Sequence, residues 1–135
     1  MYLLDTNVLS HVIRSRPPPG LIERLHEHEP DRMLTSCICV MELRHGAMRR
    51  ADQGALWARI EREVLSRVEI VGLGLEEAMV AGDVMAHLRS RGQVIDVEDV
   101  LIGATALVHD LTVVTNNVAH FRRIPRLRVE DWTTT

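Results

Sequence analysis

Asp5, Glu42 and Asp99 are the side chains of this sequence whose type and setting could do chemistry. Asp96 stands three residues before Asp99, and Asn117 closes a Thr-Asn-Asn run. Carboxylate and amide oxygens suit hard cations such as Mg2+ or Mn2+, which keep several of their own waters. Such a site activates a water and neutralises charge on a phosphoryl group in transit. Each acid also has a plainer reading. Asp5 follows an apolar run directly, so its charge needs a cap, a partner or a cation; it could cap the helix that starts near Asn7 or close an Asx-turn. Glu42 borders an apolar helical stripe, and Arg49 or Arg50 could pair with it one or two turns on. Asp96 as N-cap with Asp99 at the third helical position resembles a capping pair, favoured by the helix dipole. Asp96 and Asp99 share one helix face, whereas Glu98 points elsewhere into solvent.

The other metal-binding residue types offer less. Cys37 and Cys39 are the only cysteines; a lone C-x-C falls short of a zinc ligand set, and the pair reads as small buried apolar residues in a reducing compartment. The seven histidines show no ligand spacing and are taken as structural or exposed.

The acids need elements to hold them. Tyr2-Leu3-Leu4 reads as a buried strand ending in Asp5-Thr6-Asn7. Asn7 to Arg14 suits a short helix, stopped by Pro17-Pro18-Pro19-Gly20, and Leu21 to His28 a second, closed by Pro30. Arg32 to Ser36 reads as a strand and residues 37–50 as a helix with Ile38, Met41, His45 and Met48 on one stripe. Asp52 could cap the next helix, where Leu56, Ile60 and Val64 repeat. Val68 to Val71 is a strand; Leu75, Ala78, Met79, Gly82 and Met85 mark an amphipathic helix ending near Gly92. A helix over about Val97 to His109 precedes strands at Leu111 to Val114 and Leu127 to Val129. Strands alternating with helices predict an α/β fold with a mostly parallel central sheet flanked by helices, in a single domain over 1–135. In such sheets ligands sit beyond the carboxyl ends of the strands, where Asp5-Thr6-Asn7, Thr35-Ser36 and Thr115-Asn116-Asn117 all fall.

Composition sets outer bounds. The chain has 135 residues, 46% of them hydrophobic, with aromatics at 3%, so Leu, Ile, Val, Met and Ala must build the core. A net charge of −3 announces no large basic field. All 16 basic residues are arginine, and Arg44, Arg49 and Arg122 are candidates for gripping a phosphate backbone, against the plainer reading of solvated helix faces. No apolar run approaches the roughly 20 residues needed to span a bilayer, and no signal peptide precedes the first strand, so a cytoplasmic protein without membrane contact is expected.

Leu4-Asp5-Thr6-Asn7-Val8-Leu9-Ser10 resembles the opening of PIN domains, especially the VapC-type toxins of bacterial toxin–antitoxin pairs. Glu42-Leu43-Arg44-His45-Gly46-Ala47 is similar to the family's second acidic motif, and Asp99-Val100-Leu101-Ile102-Gly103-Ala104-Thr105-Ala106 to its third. Val114-Thr115-Asn116-Asn117 with Phe121 looks like the last motif, and Leu127 to Trp132 like the usual ending. The resemblance covers nearly the whole chain, in order. It implies a Mg2+- or Mn2+-dependent endoribonuclease that cuts tRNA, rRNA or mRNA and inhibits translation, blocked by a cognate VapB-like antitoxin and assembled as a homodimer. By position Asp5, Glu42 and Asp99 take the acidic roles. Many relatives carry Asp where this chain has Asn117, and an amide binds a cation through a neutral oxygen. Either Asp96 supplies the missing charge, or one metal is held tightly.

The resulting expectation is hydrolysis of an RNA phosphodiester. Asp5 and Asp99 hold the metal, Glu42 is a further ligand or takes a proton from the attacking water, and Asp96 and Asn117 complete a polar ring. Thr6 or Ser36 orients a ligand or water. Two alternatives stand beside it. A haloacid-dehalogenase-type phosphatase would need an acid at Asn7 and a lysine, which the chain lacks. A catalytically weakened PIN fold that binds RNA or protein without cutting would have lost its acids, and only Asn117 points that way.

Overall fold

The computed structural model describes residues 1–29 and 31–133. Five strands form one sheet: β1 (Tyr2–Leu4), β2 (Met33–Ser36), β3 (Glu69–Val71), β4 (Thr112–Val114) and β5 (Val129–Glu130). Their order is β3-β2-β1-β4-β5 and every pairing is parallel. This is the expected α/β class. Strands β1 and β4 are short because each is a brief leucine- or valine-rich run cut off by polar residues at its carboxyl end, Asp5-Thr6-Asn7 and Thr115-Asn116-Asn117.

Side chains alternate across the sheet, as strand geometry requires. Leu3, Leu34 and Val113 enter one core with α5 (Leu75–Ser90), α6 (Val97–Val108) and α7 (Val118–Phe121). Leu4 and Val114 enter the other, with α1 (Thr6–Val12), α2 (Pro19–Glu27), α3 (Cys37–Met48), α4 (Gln53–Glu63) and the buried Trp132. Gly103 on α6 packs so closely that a Cβ there would lie 2.5 Å from Ile124 Cδ1. Pro30, expected to stop α2, lies outside the described residues. Among the described residues no helix is long and apolar enough to cross a membrane.

Two helices turn a different face inward from the one their apolar residues suggested. On α3 the buried positions are Cys39, Leu43 and Ala47, whereas Met41 is 50% exposed and His45 lies in solvent. On α5 the buried residues are Glu77, Ala81, Val84 and Leu88; Leu75, Met79 and Met85 lie outside, Leu75 at 78% exposure. Both helices carry apolar residues around much of their girth, so periodicity leaves the inward direction open. On α5 the carboxylate of Glu77 also fixes the rotation, because it accepts from Gly74 N at 3.1 Å and meets His109 Nε2 at 2.9 Å. Helix α7 was not foreseen: four residues are too few for a periodic signal. Asp52 occupies the N-cap position of α4 but its side chain caps nothing; it faces Arg50 instead, at 3.6 Å.

Candidate active site

The chain winds from β1 through β2 to β3 on one side of the sheet, then crosses to β4 and β5 on the other. The strand order therefore reverses between β1 and β4, and their carboxyl ends open a crevice there. Asp5 directly follows β1 and extends the ladder, its N–H donating to Val114 O at 3.0 Å. Only 4% of it is exposed. One carboxylate oxygen accepts from Thr6 N at 2.8 Å and the other from Thr115 Oγ1 at 2.8 Å. The same residue is thus the N-cap of α1 and the floor of the crevice. Burial raises its pKa, and the two hydrogen bonds oppose that shift.

Helix α3 starts where β2 ends. Ser36 is its N-cap, with Oγ accepting from Ile38 N at 3.0 Å; that oxygen holds the helix start, which in turn sets where Glu42 projects. Glu42 Oε1 accepts from Thr6 Oγ1 at 2.6 Å, so Thr6 ties the second acid to the helix that the first one caps. Neither Arg49 nor Arg50 is its partner. Cys39, three residues earlier on the same face of α3, completes a tight group: one ligand atom each from Asp5, Cys39 and Glu42 lie within 4.8 Å of one another. Burial first, then the charge of Asp5, pushes the Cys39 thiol up to about 11.

Asp99 comes from the first turn of α6 and stands outside that closest group. Asn117 Nδ2 donates to Asp99 Oδ2 in a long contact of 3.4 Å and lies 2.9 Å from His120 Nδ1, which is itself 3.9 Å from Asp99. Burial, followed by the charges of Asp5, Glu42 and Asp96, pushes the Asp99 carboxyl up to about 6. Glu42 is raised in the same way, first by burial and then, against the Thr6 hydrogen bond, by Asp5, Glu98 and Asp96.

The fold therefore brings Asp5, Glu42 and Asp99 together, with Thr6 and Asn117 in direct hydrogen-bond contact with them. Asp96 is exposed; it takes the N-cap position of α6 without a side-chain cap and acts on the site through its charge. Arg44 follows Glu42 by two residues and so faces away from it, with its guanidinium 4.9 Å over the Trp57 ring. Arg49 is exposed at the far end of α3, and Arg122 is exposed at the end of the short helix that Asn117 opens. Sequence reasoning passed over Cys39, Thr115 as the anchor of Asp5, and His120. Helical spacing of three ties Cys39 to Glu42 and His120 to Asn117, which is the signal that could have found them.

Several carboxylates raising one another's pKa, with His120 the sole basic side chain in contact among the described residues, form a site that lacks a counter-charge. Their oxygens are the donor set of a divalent cation, so the residues present fit such an ion. Acids converging at the switch point of a parallel α/β sheet give the arrangement of a metal-dependent nuclease. The chain belongs to the PIN-domain family, whose pattern matches residues 2–127. It is 34% identical to the tRNA(fMet)-specific endonuclease VapC of Salmonella typhimurium, over 97% of each chain, and 34% identical to ribonuclease VapC2 of Haemophilus influenzae, again over 97% of each. Among solved structures it is similar to the DNA-bound VapBC of Salmonella typhimurium, with a TM-score of 0.89 and 34% identity over 97% of both chains. It is also similar to VapBC2 of Rickettsia felis bound to a promoter DNA fragment, with a TM-score of 0.89, 28% identity, and 97% and 98% of the two chains covered.

Proposed function

We propose that residues 1–135 form a single nuclease domain that hydrolyses RNA phosphodiester bonds with Mg2+ or Mn2+, as the toxin of a VapBC-type pair that inhibits translation. The observation that carries this reading is the meeting of Asp5, Glu42 and Asp99, from three distant parts of the chain, at the carboxyl edge of β1 and β4. The naming of its relatives as VapC nucleases and of the solved complexes as VapBC supports the substrate class and a VapB-like antitoxin as partner.

In this reading Asp5, Glu42 and Asp99 hold the cation. When bound, it polarises the scissile phosphate and lowers the pKa of a water. The chain's own residues fix the geometry around that chemistry. Thr115 and the Thr6 N–H each hold one oxygen of Asp5 and leave each a further lone pair for a cation. Thr6 holds Oε1 of Glu42, which leaves Oε2 to be a further ligand or to take a proton from the attacking water. Asn117 and His120 flank Asp99 and hold its carboxylate in place. Arg122, exposed at the end of the helix that Asn117 opens, would contact the RNA backbone, as would the exposed Arg44 and Arg49.

The test is cleavage of total cellular RNA by the purified, antitoxin-free protein with Mg2+, with Mn2+ and with EDTA, alongside Asp99→Ala. Discrete fragments that need metal and vanish in the variant support the reading. A folded, metal-loaded protein that cuts no RNA overturns it in favour of a binding module.

A further inference from the structure

The chain has two tryptophans, one tyrosine and one phenylalanine. Phe121 and Trp132 are fully buried, and Tyr2 packs edge-on against Trp132 with ring centroids 5.0 Å apart. Trp57 differs. It stands on α4 with one side against the second core and is half-buried. Arg44 covers it, with the guanidinium carbon 4.9 Å from the ring centroid. Arg44 is exposed, and among the described residues it pairs with no carboxylate, whereas Arg50 turns to Asp52 at 3.6 Å and Arg59 to Glu63 at 2.8 Å. The indole therefore holds this cation, and its outer side is left to solvent.

A guanidinium is planar, and one held over an indole keeps a face on which a base can stack and N–H groups that reach a phosphate. Single-stranded RNA is recognised in this way, because its unpaired bases are free to be splayed onto aromatic rings and arginine planes. Helix α3 joins the pair to the acids. Glu42 and Arg44 lie on opposite flanks of that helix, one position either side of the buried Leu43. Round the exposed back from one to the other stand His45 and Met41, both in solvent. The arc is about 15 Å for a helix about 10–12 Å across, a few nucleotides of extended strand. Glu42 is the only acid on α3, and the chain from there to Arg50 carries Arg44, His45, Arg49 and Arg50, so this back attracts a phosphate chain. Glu61, one turn beyond Trp57 on α4, disfavours a phosphate at the ring itself, which leaves the neutral base as the group that fits there.

We propose that Arg44, braced by Trp57, is a stacking platform for an unpaired base of single-stranded RNA, a few nucleotides from the phosphate at the acids. The pair selects which strand is held, and the acids cut it. The proposal rests on the reading of Asp5, Glu42 and Asp99 as a site of RNA hydrolysis, and its own element is the stacked base.

The test is binding of an unstructured RNA oligonucleotide, and of the same oligonucleotide annealed to its complement, measured by fluorescence anisotropy in EDTA so that nothing is cut. Tryptophan emission is followed in parallel with unlabelled RNA. Wild type should bind the single strand more tightly than the duplex, with a fall in emission, since Trp132 is buried and Trp57 lies beneath the base. Arg44→Lys keeps the charge and removes the plane. It should bind the single strand about 5- to 150-fold more weakly, the worth of one stacked base, with the same dependence on salt. Trp57→Leu should lose a similar factor; Arg44→Lys, at an exposed position, carries the test should Trp57→Leu fail to fold. No binding of either RNA, no preference for the single strand, equal affinity of wild type and Arg44→Lys, or binding without a change in tryptophan emission overturns the proposal. Cleavage with Mn2+, run beside it, separates this from the nuclease reading. RNA cut equally well by wild type and Arg44→Lys keeps the nuclease and removes the platform. RNA held through Arg44 and never cut keeps the platform and removes the nuclease.

Discussion

Thr115 Oγ1 donates to Asp5 Oδ2 at 2.8 Å, across 110 residues of chain, while accepting from Asn117 N at 2.9 Å. One fully buried hydroxyl therefore sets the orientation of the first acid and the course of the loop that carries Asn117. Thr115→Val keeps the shape and removes both bonds. A buried group left without its partner costs about 1–3 kcal/mol, so the variant should unfold at lower denaturant concentration by that amount. Its affinity for Mn2+ should fall as well. A variant with unchanged metal affinity would show that Asp5 needs no such anchor.

Asp99→Asn should separate stability from activity. The carboxyl is held at about 6 by burial and by its acidic neighbours, so its charge at pH 8 strains the metal-free fold. Removing that charge should raise the thermal midpoint in EDTA while RNA cleavage is lost. A lower midpoint in EDTA would mean that the Asn117 contact at 3.4 Å outweighs the repulsion.

The same shift gives a pH dependence with a definite sign. Asp99 titrates near its ordinary 3.8 in the unfolded chain and at about 6 in the folded one, so the folded state binds its proton more tightly. Relative to Asp99→Asn, the metal-free wild type should be most stable below about pH 4, lose ground as pH rises to about 6, and then level off. Adding Mn2+ at pH 8 should restore what was lost, and adding it at pH 4 should do little. Denaturant titrations of both proteins across this range are the check; a difference that does not vary with pH would rule the shift out.

Glu77 runs the opposite way. Its carboxylate is stabilised by its own backbone N–H and by His109, so its pKa lies below the ordinary 4.5. Its contribution is present above that value and is lost as pH falls through the lowered one. Glu77→Gln should therefore destabilise the protein at pH 7 and match wild type in strong acid. Amide exchange in the first turn of α5, which Glu77 caps through Gly74, should quicken in the variant.

Gly103→Ala adds a methyl 2.5 Å from Ile124 Cδ1, with Leu127 Cδ2 at 3.5 Å behind it. Ile124 is 2% exposed, so it has little room to retreat. Overpacking of this kind costs about 1–3 kcal/mol, measurable as a lower unfolding midpoint. A neutral substitution would show that the loop after α7 yields freely.

The sequence by itself determined the acids and every longer helix and strand run, though not the four-residue α7. Short apolar runs ended by Asp5-Thr6-Asn7 and Thr115-Asn116-Asn117 define strands with polar carboxyl ends, and alternation with helices leaves the parallel sheet as the consistent solution. Asp5, Glu42 and Asp99 stood out because a charge beside an apolar run needs a reason. Tertiary structure decided what periodicity could not. Helices α3 and α5 are apolar around much of their circumference, so the inward face followed from what each packs against, and Met41 and Met79 ended in solvent. The rotation of α3 put Cys39 and Glu42, and neither arginine, beside Asp5. The strand order placed Thr115 under Asp5, a contact that no local pattern encodes because it spans 110 residues. Local spacing reports which residues share an element's face; only the packing of elements decides where that face points.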